Sequence, residues 1–444
     1  MRIPSAKEFN ADGHWFTSYP SLNHWTEDFA ASEYERTFVD FLKTGKPLHL
    51  YIHIPFCKKL CHYCLCNILI SNDRAKIQLF LDHLLKEIGN LKEFARKLDQ
   101  PLHIREIHFG GGTPSHLDRQ QFSQLCDGLK TLVDFSACDE IAMEIDPRTV
   151  ECNDLAHYAS CGVTRISFGV QDFDLKVQQA INRVQPPEMI EELLKAREFF
   201  QGVNFDLLYG LPYQTLDTLR ETVRKTKEMA PDRITLLKYC HAPEVRRHMK
   251  LIKEETLPSS DELPMMFCET AQSLMDFGYE WVGLDHFALP HDTLAKAQRE
   301  GTLVRTFNGF KSGPTKDMIG LGPTATAAFG RTYAQAHYDL PRYYESVNKG
   351  EFPILRGYSL TDDDFARREV IFSLLTKQKA LVPDLYFSRE LKELQKMPEL
   401  CKLSGYWLRV HDRVLLRNVC KVFDIKDVLP EHMKIAQKTI RRVA

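Results

Sequence analysis

Four of the chain's twelve cysteines fall within ten residues, in the segment YIHIPFCKKLCHYCLCN that runs from Tyr51 to Asn67. Cys57, Cys61 and Cys64 are spaced CxxxCxxC, and Cys66 follows two places on. Thiolates are the usual ligands of iron–sulfur clusters. Three of them on one short loop can hold three irons of a [4Fe–4S] cubane and leave the fourth open. An open iron can be chelated by the amino and carboxylate groups of S-adenosylmethionine (SAM). An electron passed to the sulfonium then breaks a carbon–sulfur bond and releases a 5′-deoxyadenosyl radical. That chemistry belongs to the cofactor, while the protein supplies position and exclusion of water. Cys66 is not expected to be a ligand, because a fourth thiolate would compete with SAM for the open iron. A structural zinc site is the competing reading. Closed zinc sites usually pair two CxxC-type knuckles separated in sequence, and here the second knuckle is missing.

These residues need a scaffold. Short β-branched and aromatic runs occur at 48–54, 104–109, 140–145, 165–170, 204–208 and 233–239. Between most of them lie stretches with helical spacing, at 75–98, 120–133, 187–200 and 216–229. Strand–helix alternation without hairpin turns predicts a parallel sheet with crossover helices. Six repeats are too few for a closed eightfold barrel. The expected fold class is therefore α/β, an incomplete, three-quarter parallel βα barrel; a doubly wound open sheet is the competitor that periodicity does not separate. In a barrel, the loop after the first strand opens at the carboxyl-end mouth, where active sites lie. FGGGTP (109–114) closes the second strand with glycines that let a ligand approach the backbone. Glu144, in MEIDP, ends the third and brings a carboxylate to the same mouth.

Residues 1–46 carry aromatics without sustained periodicity and are expected to form an N-terminal arm. Residues 47–342 are expected to form the catalytic barrel, and 343–444 a small, mostly helical, winged-helix-like cover domain. In that last unit Thr361 before Asp362–Asp364 marks a helix N-terminus. GYWLRVHDRVLLRN reads as two short strands around an Asp-containing turn. With 27% charged residues and a net charge of −2, the chain gives no reason to expect nucleic acid or an acidic membrane as partner. No apolar run approaches the roughly 18 residues that span a bilayer. The first twenty residues contain polar and charged side chains where a signal peptide needs an apolar stretch. The expected location is cytoplasmic. The eight scattered cysteines fit that compartment as buried reduced thiols.

The motifs, taken together, resemble those of the oxygen-independent coproporphyrinogen III oxidases (coproporphyrinogen dehydrogenases), which are radical SAM enzymes. The likeness runs from FTSYP in the arm through YIHIPFCKKLCHYCLCN, HFGGGTP, EIDPR, SFGVQDF, INRVQ, DLLYGLP and GLDHFALP to RGYSLTDDDFARREVI. It implies an incomplete barrel of the radical SAM type with a helical cover, one [4Fe–4S] cluster on Cys57, Cys61 and Cys64, and two SAM molecules per active site. By the same resemblance Tyr63 lies against the adenine of the cluster-bound SAM, and Gly112, Thr113, Gln171, Arg183 and Asp206 match that molecule's other contacts. Tyr51, Gly111 and Glu144 match contacts of the second SAM. Cys240 and Thr326 stand at positions that also touch these ligands, where the family often carries other small or apolar residues. The implied reaction is oxidative decarboxylation of two propionates of coproporphyrinogen III to vinyl groups, giving protoporphyrinogen IX for haem biosynthesis. It needs an electron donor and an electron acceptor, neither of them identified. Haem-binding chaperones and haem methyltransferases share the three-cysteine loop but usually lack the cysteine two places on, which Cys66 supplies here. A non-catalytic iron–sulfur or zinc protein is the alternative of a different class. Trp15-Phe16 stands where the family usually has Arg-Tyr, which bears on how the arm docks substrate. A self-contained barrel with its cover points to a monomer.

Overall fold

A computed structural model describes residues 1–10 and 18–425. Trp15 and Phe16, and so the expectation attached to them, lie outside the described residues.

The six apolar runs form six parallel strands: β1 Leu48–Ile54, β2 Ile104–Gly111, β3 Glu140–Ile145, β4 Arg165–Gln171, β5 Gly202–Tyr209 and β6 Arg233–Lys238. Each pairs with the next in the order β1-β2-β3-β4-β5-β6. A doubly wound sheet would reverse direction at a switch point, and this order has none. Helices α1 (Arg74–Lys97), α2 (Arg119–Lys130), α3 (Cys152–Cys161), α4 (Pro187–Leu194) and α5 (Leu216–Met229) make the crossovers. The side chain of Asp73 accepts from the Ala75 and Lys76 N–H groups to start α1. Ile77, Leu81, Leu84, Ile88 and Leu91 then bury one face of it, at the spacing that keeps a helical stripe on the core.

The sheet is curled. Glu140 on β3 meets Arg233 on β6 at 3.0 Å, although a flat sheet would hold strands three places apart at roughly 14 Å. Arg165 on β4 joins them, 2.7 Å from Glu140 and 2.9 Å from Asp292, and Arg233 also reaches Asp292 at 2.7 Å. This four-residue network sits at the amino ends of the strands and floors the barrel. Next to it His49 and Lys311 both approach Glu106, at 3.3 and 3.0 Å.

The barrel is not closed by an eighth strand. Met318–Leu321 runs parallel to β1, and Thr326–Phe329, Thr332–Ala336 and Ile354–Ser359 extend that side antiparallel. On the other side His286–Ala288 and Glu280–Gly283 add antiparallel strands beyond β6, giving twelve strands in all. The hairpin Val304–Thr306/Gly309–Lys311 stands apart as a two-stranded sheet. Within residues 1–46 one helix, Ala31–Leu42, buries Tyr34, Phe38 and Phe41 against Phe329.

The C-terminal region differs from the sequence reading in two respects. Position 343 lies inside the helix Leu340–Lys349, and the main sheet continues to Ser359. Tyr343 is buried there and donates to Glu87 of α1 at 2.6 Å, so this helix is tied to the barrel. From the helix Asp362–Lys377 onward the cover packs in a second core cluster, which it shares with Tyr19, Val282, Leu284, Leu294 and Phe310. Its hairpin is Cys401–Ser404 with Trp407–Val410, turning at Gly405 with φ of 57°. The second expected strand is instead the helix Leu416–Lys421. Asp412 causes the switch, because its carboxylate accepts from the Val414 and Leu415 N–H groups and starts a turn where a strand was expected.

Replacing Arg165 with Ala would leave Glu140 and Asp292 buried with half their compensation. Arg165→Ala is expected to lower unfolding free energy by about 3–5 kcal/mol, read from urea denaturation; an unchanged midpoint would show that the floor network does not hold the curl.

Candidate active site

The cysteine loop begins where β1 stops. Phe56–Cys57 pairs in parallel with Leu69–Ile70, which closes the intervening residues into a loop. Cys57 and Cys61 are buried, Cys64 is half-buried and Cys66 is exposed. The Cys57 thiol lies 3.2 Å from the Thr113 hydroxyl. Arg148 and Arg183 donate to the Cys61 sulfur at 3.4 and 3.6 Å, and both guanidiniums also bind Asp146, at 2.7 and 3.2 Å. A hydrogen bond from Cys66 brings the Cys64 thiol down to about 7 and pushes that of Cys66 up. Burial pushes Cys57 up to about 12, a cost that metal ligation removes because a coordinating thiol is deprotonated outright. Among the described residues no three His, Cys, Asp or Glu side chains converge on a single ion position. A cubane needs no such convergence, since it offers each thiolate its own iron. The donor set fits the cluster.

Around the loop, the strand ends supply carboxylates held by their neighbours. Glu144 at the end of β3 accepts from the Gly111 N–H at 3.2 Å and from His108 Nε2 at 3.0 Å. A β-carbon on Gly110 would stand 2.7 Å from Glu144 Oε1, and Gly111 has φ of +117°. The glycine run is thus what lets this carboxylate lie against β2. Asp206 on β5 accepts from the Ser167 hydroxyl and the Asn204 amide at 2.8 and 2.9 Å, and burial raises its pKa. Tyr51 stacks on His108 with ring centroids 5.8 Å apart, and its hydroxyl is 3.1 Å from His53 Nδ1. Burial pulls His53 down to about 4, so its ring is neutral. Nε2–H donates to the Asn67 carbonyl at 3.2 Å, which leaves Nδ1 to accept from Tyr51. This chain of bonds couples β1 to the far end of the cysteine loop.

Cys57, Cys61 and Cys64 line one cavity of about 540 Å³. Tyr51, Tyr63, Gly111, Gly112 and Thr113 line it too, as do Glu144, Gln171, Arg183 and Asp206. Cys240 and Thr326 are not on its wall. Cys240 packs instead in a small apolar cluster with Tyr63, and Thr326 is buried in the sheet extension, paired with Gln335. Sequence reasoning did not single out Asp146, Arg148, His53 or His108. The first two stand in EIDPR directly after Glu144, and His53 and His108 alternate with Tyr51 and Gly110 on the inward faces of β1 and β2. Period-two spacing from a known inward residue was the signal available for the last pair.

Comparison with known proteins gives concordant results. A family model described as the radical SAM superfamily matches residues 51–226. The oxygen-independent coproporphyrinogen III oxidase of Escherichia coli (strain K12) is 37% identical over 435 residues, 94% of each chain. The protein of that name from Pseudomonas aeruginosa is 34% identical over 436 residues, again 94% of each. A solved structure of coproporphyrinogen III oxidase from Escherichia coli, described as a radical SAM enzyme, superposes with a TM-score of 0.87 at 36% identity. It covers 93% of this chain and 97% of that one.

The His53 imidazole is expected to titrate near 4 rather than at the ordinary 6.5 or so, which NMR of histidine-labelled protein reads directly. The folded protein refuses a proton that the unfolded chain accepts, so stability is full above about 6.5 and is lost as pH falls through 4. A His53 resonance titrating above 6 would refute the neutral relay.

Proposed function

The chain belongs to the oxygen-independent coproporphyrinogen III oxidases of the radical SAM superfamily, and on that premise we propose that it converts two propionates of coproporphyrinogen III to vinyl groups, giving protoporphyrinogen IX. The observation that carries the reading is one cavity bringing together three loop thiols, two guanidiniums beside them and strand-end carboxylates. Its volume falls in the range usual for small-molecule sites.

Cys57, Cys61 and Cys64 are the residues that would hold the [4Fe–4S] cluster. When bound, cluster and SAM supply one-electron cleavage of a carbon–sulfur bond and, from it, an oxidant strong enough to take hydrogen from an unactivated carbon. Arg148 and Arg183 offset thiolate charge at Cys61 and keep the loop against the barrel. Tyr63, Gly112, Thr113, Gln171, Arg183 and Asp206 are assigned to the first SAM. Tyr51, Gly111 and Glu144 are assigned to a second. A ribose offers paired hydroxyls, and a carboxylate accepts them in charge-assisted hydrogen bonds; His108 and the Gly111 N–H fix the direction of Glu144 for that task. Cys240 acts through the apolar cluster on which it and Tyr63 both pack, and Thr326 through the sheet. Each decarboxylation releases carbon dioxide and passes an electron to an acceptor outside the chain. The three-unit division into arm (1–46), barrel (47–342) and cover (343–444) serves as the working map, with the helix at 340–349 joining the last two. Among the described residues no helix is long and apolar enough to cross a membrane. All twelve cysteines are unpaired, which supports a reducing, cytoplasmic setting, and a self-contained barrel with its cover is the ground for reading the chain as a monomer.

Anaerobic reconstitution followed by coproporphyrinogen III is expected to yield protoporphyrinogen. Haem binding or haem methylation without that product would reassign the chain. Cys57→Ala, Cys61→Ala and Cys64→Ala are each expected to lose the cluster, seen as missing iron and missing absorption near 400 nm, whereas Cys66→Ala keeps it. Glu144→Gln is expected to retain cluster and one bound SAM while decarboxylation falls at least about tenfold. Full turnover with two SAM bound in that variant would remove Glu144 from the site.

A further inference from the structure

The cysteine loop shows one flank to the cavity and the other to solvent, and the solvent flank has a character of its own. Segment 240–253 packs directly on it. Arg246 donates to the Leu65 carbonyl at 2.9 Å and to Asn67 Oδ1 at 2.6 Å, and His248 Nε2 lies 2.9 Å from the Cys64 carbonyl. Segments 58–76 and 240–253 together hold eight Lys and Arg against two acidic residues, in a chain whose net charge is −2. Glu254 and Glu255 mark the margin. Lys58, Lys59, Lys250 and Lys253 are exposed and form no ion pair among the described residues. The same two segments expose apolar side chains: Leu65, Leu69, Ile70, Val245 and Leu251, the last 62% accessible. Ile70 is the strand partner of Cys57, one thiol of the ligand set.

Exposed apolar side chains among charges of one sign, on two segments packed together, are what a protein-docking face offers. What lies beneath it decides the partner. The reading above places an electron-accepting cluster a single loop below this surface, and that cluster must be filled one electron at a time from outside the chain. We propose that the face formed by Lys58, Leu69, Ile70, Val245, Lys250 and Leu251 is the docking site of a small acidic one-electron carrier protein. The carrier's negative surface meets the lysines, its apolar rim meets the exposed aliphatics, and its electron enters by way of the loop. The proposal rests on the loop holding a cluster, so the cluster is measured separately.

Lys59 also lines the cavity and is left untouched in the test. The reconstituted holoenzyme, its Lys58→Glu/Lys250→Glu variant and a Lys92→Glu control are compared. Lys92 is exposed and lies 18 residues along α1 from Arg74, about 27 Å at the helical rise. The probe is a reduced, acidic FMN protein. Binding is read by its flavin fluorescence, and cluster reduction by stopped-flow absorbance at low and high salt. Photoreduced deazaflavin, a neutral small reductant, measures reducibility without docking. The double variant is expected to bind and be reduced by the carrier at least about tenfold more weakly at low salt, with the salt dependence flattened. Its iron content, its reduction by deazaflavin and the control variant are expected to match the parent. Equal carrier binding and reduction in parent and double variant would overturn the proposal. So would a parent that ignores the carrier but binds vesicles containing phosphatidylserine. Absence of a cluster in the parent would refute the functional reading itself, a result the iron analysis distinguishes.

Discussion

Arg233 can touch Glu140 only because the sheet between them is bent, and that bend is what everything above it uses. Without it, Tyr51, Glu144 and Asp206 would stand on a surface rather than around a chamber. The cost is a floor of buried charges: Glu140, Arg165, Arg233 and Asp292 on one side, Glu106 with His49 and Lys311 on the other. Buried ion pairs seldom add net stability over well-packed apolar residues. Their use here is geometric, because the Glu140–Arg233 pair fixes distance and direction between strands that share no ladder hydrogen bonds.

A second constraint acts at the mouth. Each polar group there is held by another element than its own: Glu144 of β3 by the backbone of β2, Asp206 of β5 by Ser167 of β4, Cys61 by guanidiniums from the loops after β3 and β4. The loop between Cys57 and Ile70 contributes little regular structure. It takes its shape from these outside contacts and from the neutral His53 bridge to Asn67. Ligands on such a loop are positioned by the rigid strands around them, which is how irregular backbone can carry precise chemistry.

Much of this was legible in the sequence. β1, β3 and α5 begin and end at the residues that apolar runs and helical spacing indicate, since strands buried on both faces are continuous in hydrophobicity. The thiol spacing was legible because its ligands are close in sequence. The floor was not: Arg165 and Asp292 are 127 positions apart, and each alone reads as a solvated charge. The arm helix escaped because Tyr34, Phe38 and Phe41 bury one narrow aromatic stripe in an otherwise charged stretch. The cover hairpin was displaced by a few residues because Asp412 can serve equally as a turn residue or a helix start, and only its backbone partners decide between them.

A hairpin outside the main sheet supplies part of the chamber's lining. Residues 304–311 present Arg305, Phe310 and Lys311 to the chamber, and the hairpin's strands pair with each other, not with the main sheet. Its attachment to the floor is the Lys311–Glu106 ion pair instead of a ladder. One wall of the chamber is therefore held by side chains, an ion pair to the floor and Phe310 in the second core cluster, and by no ladder bond to the parallel strands.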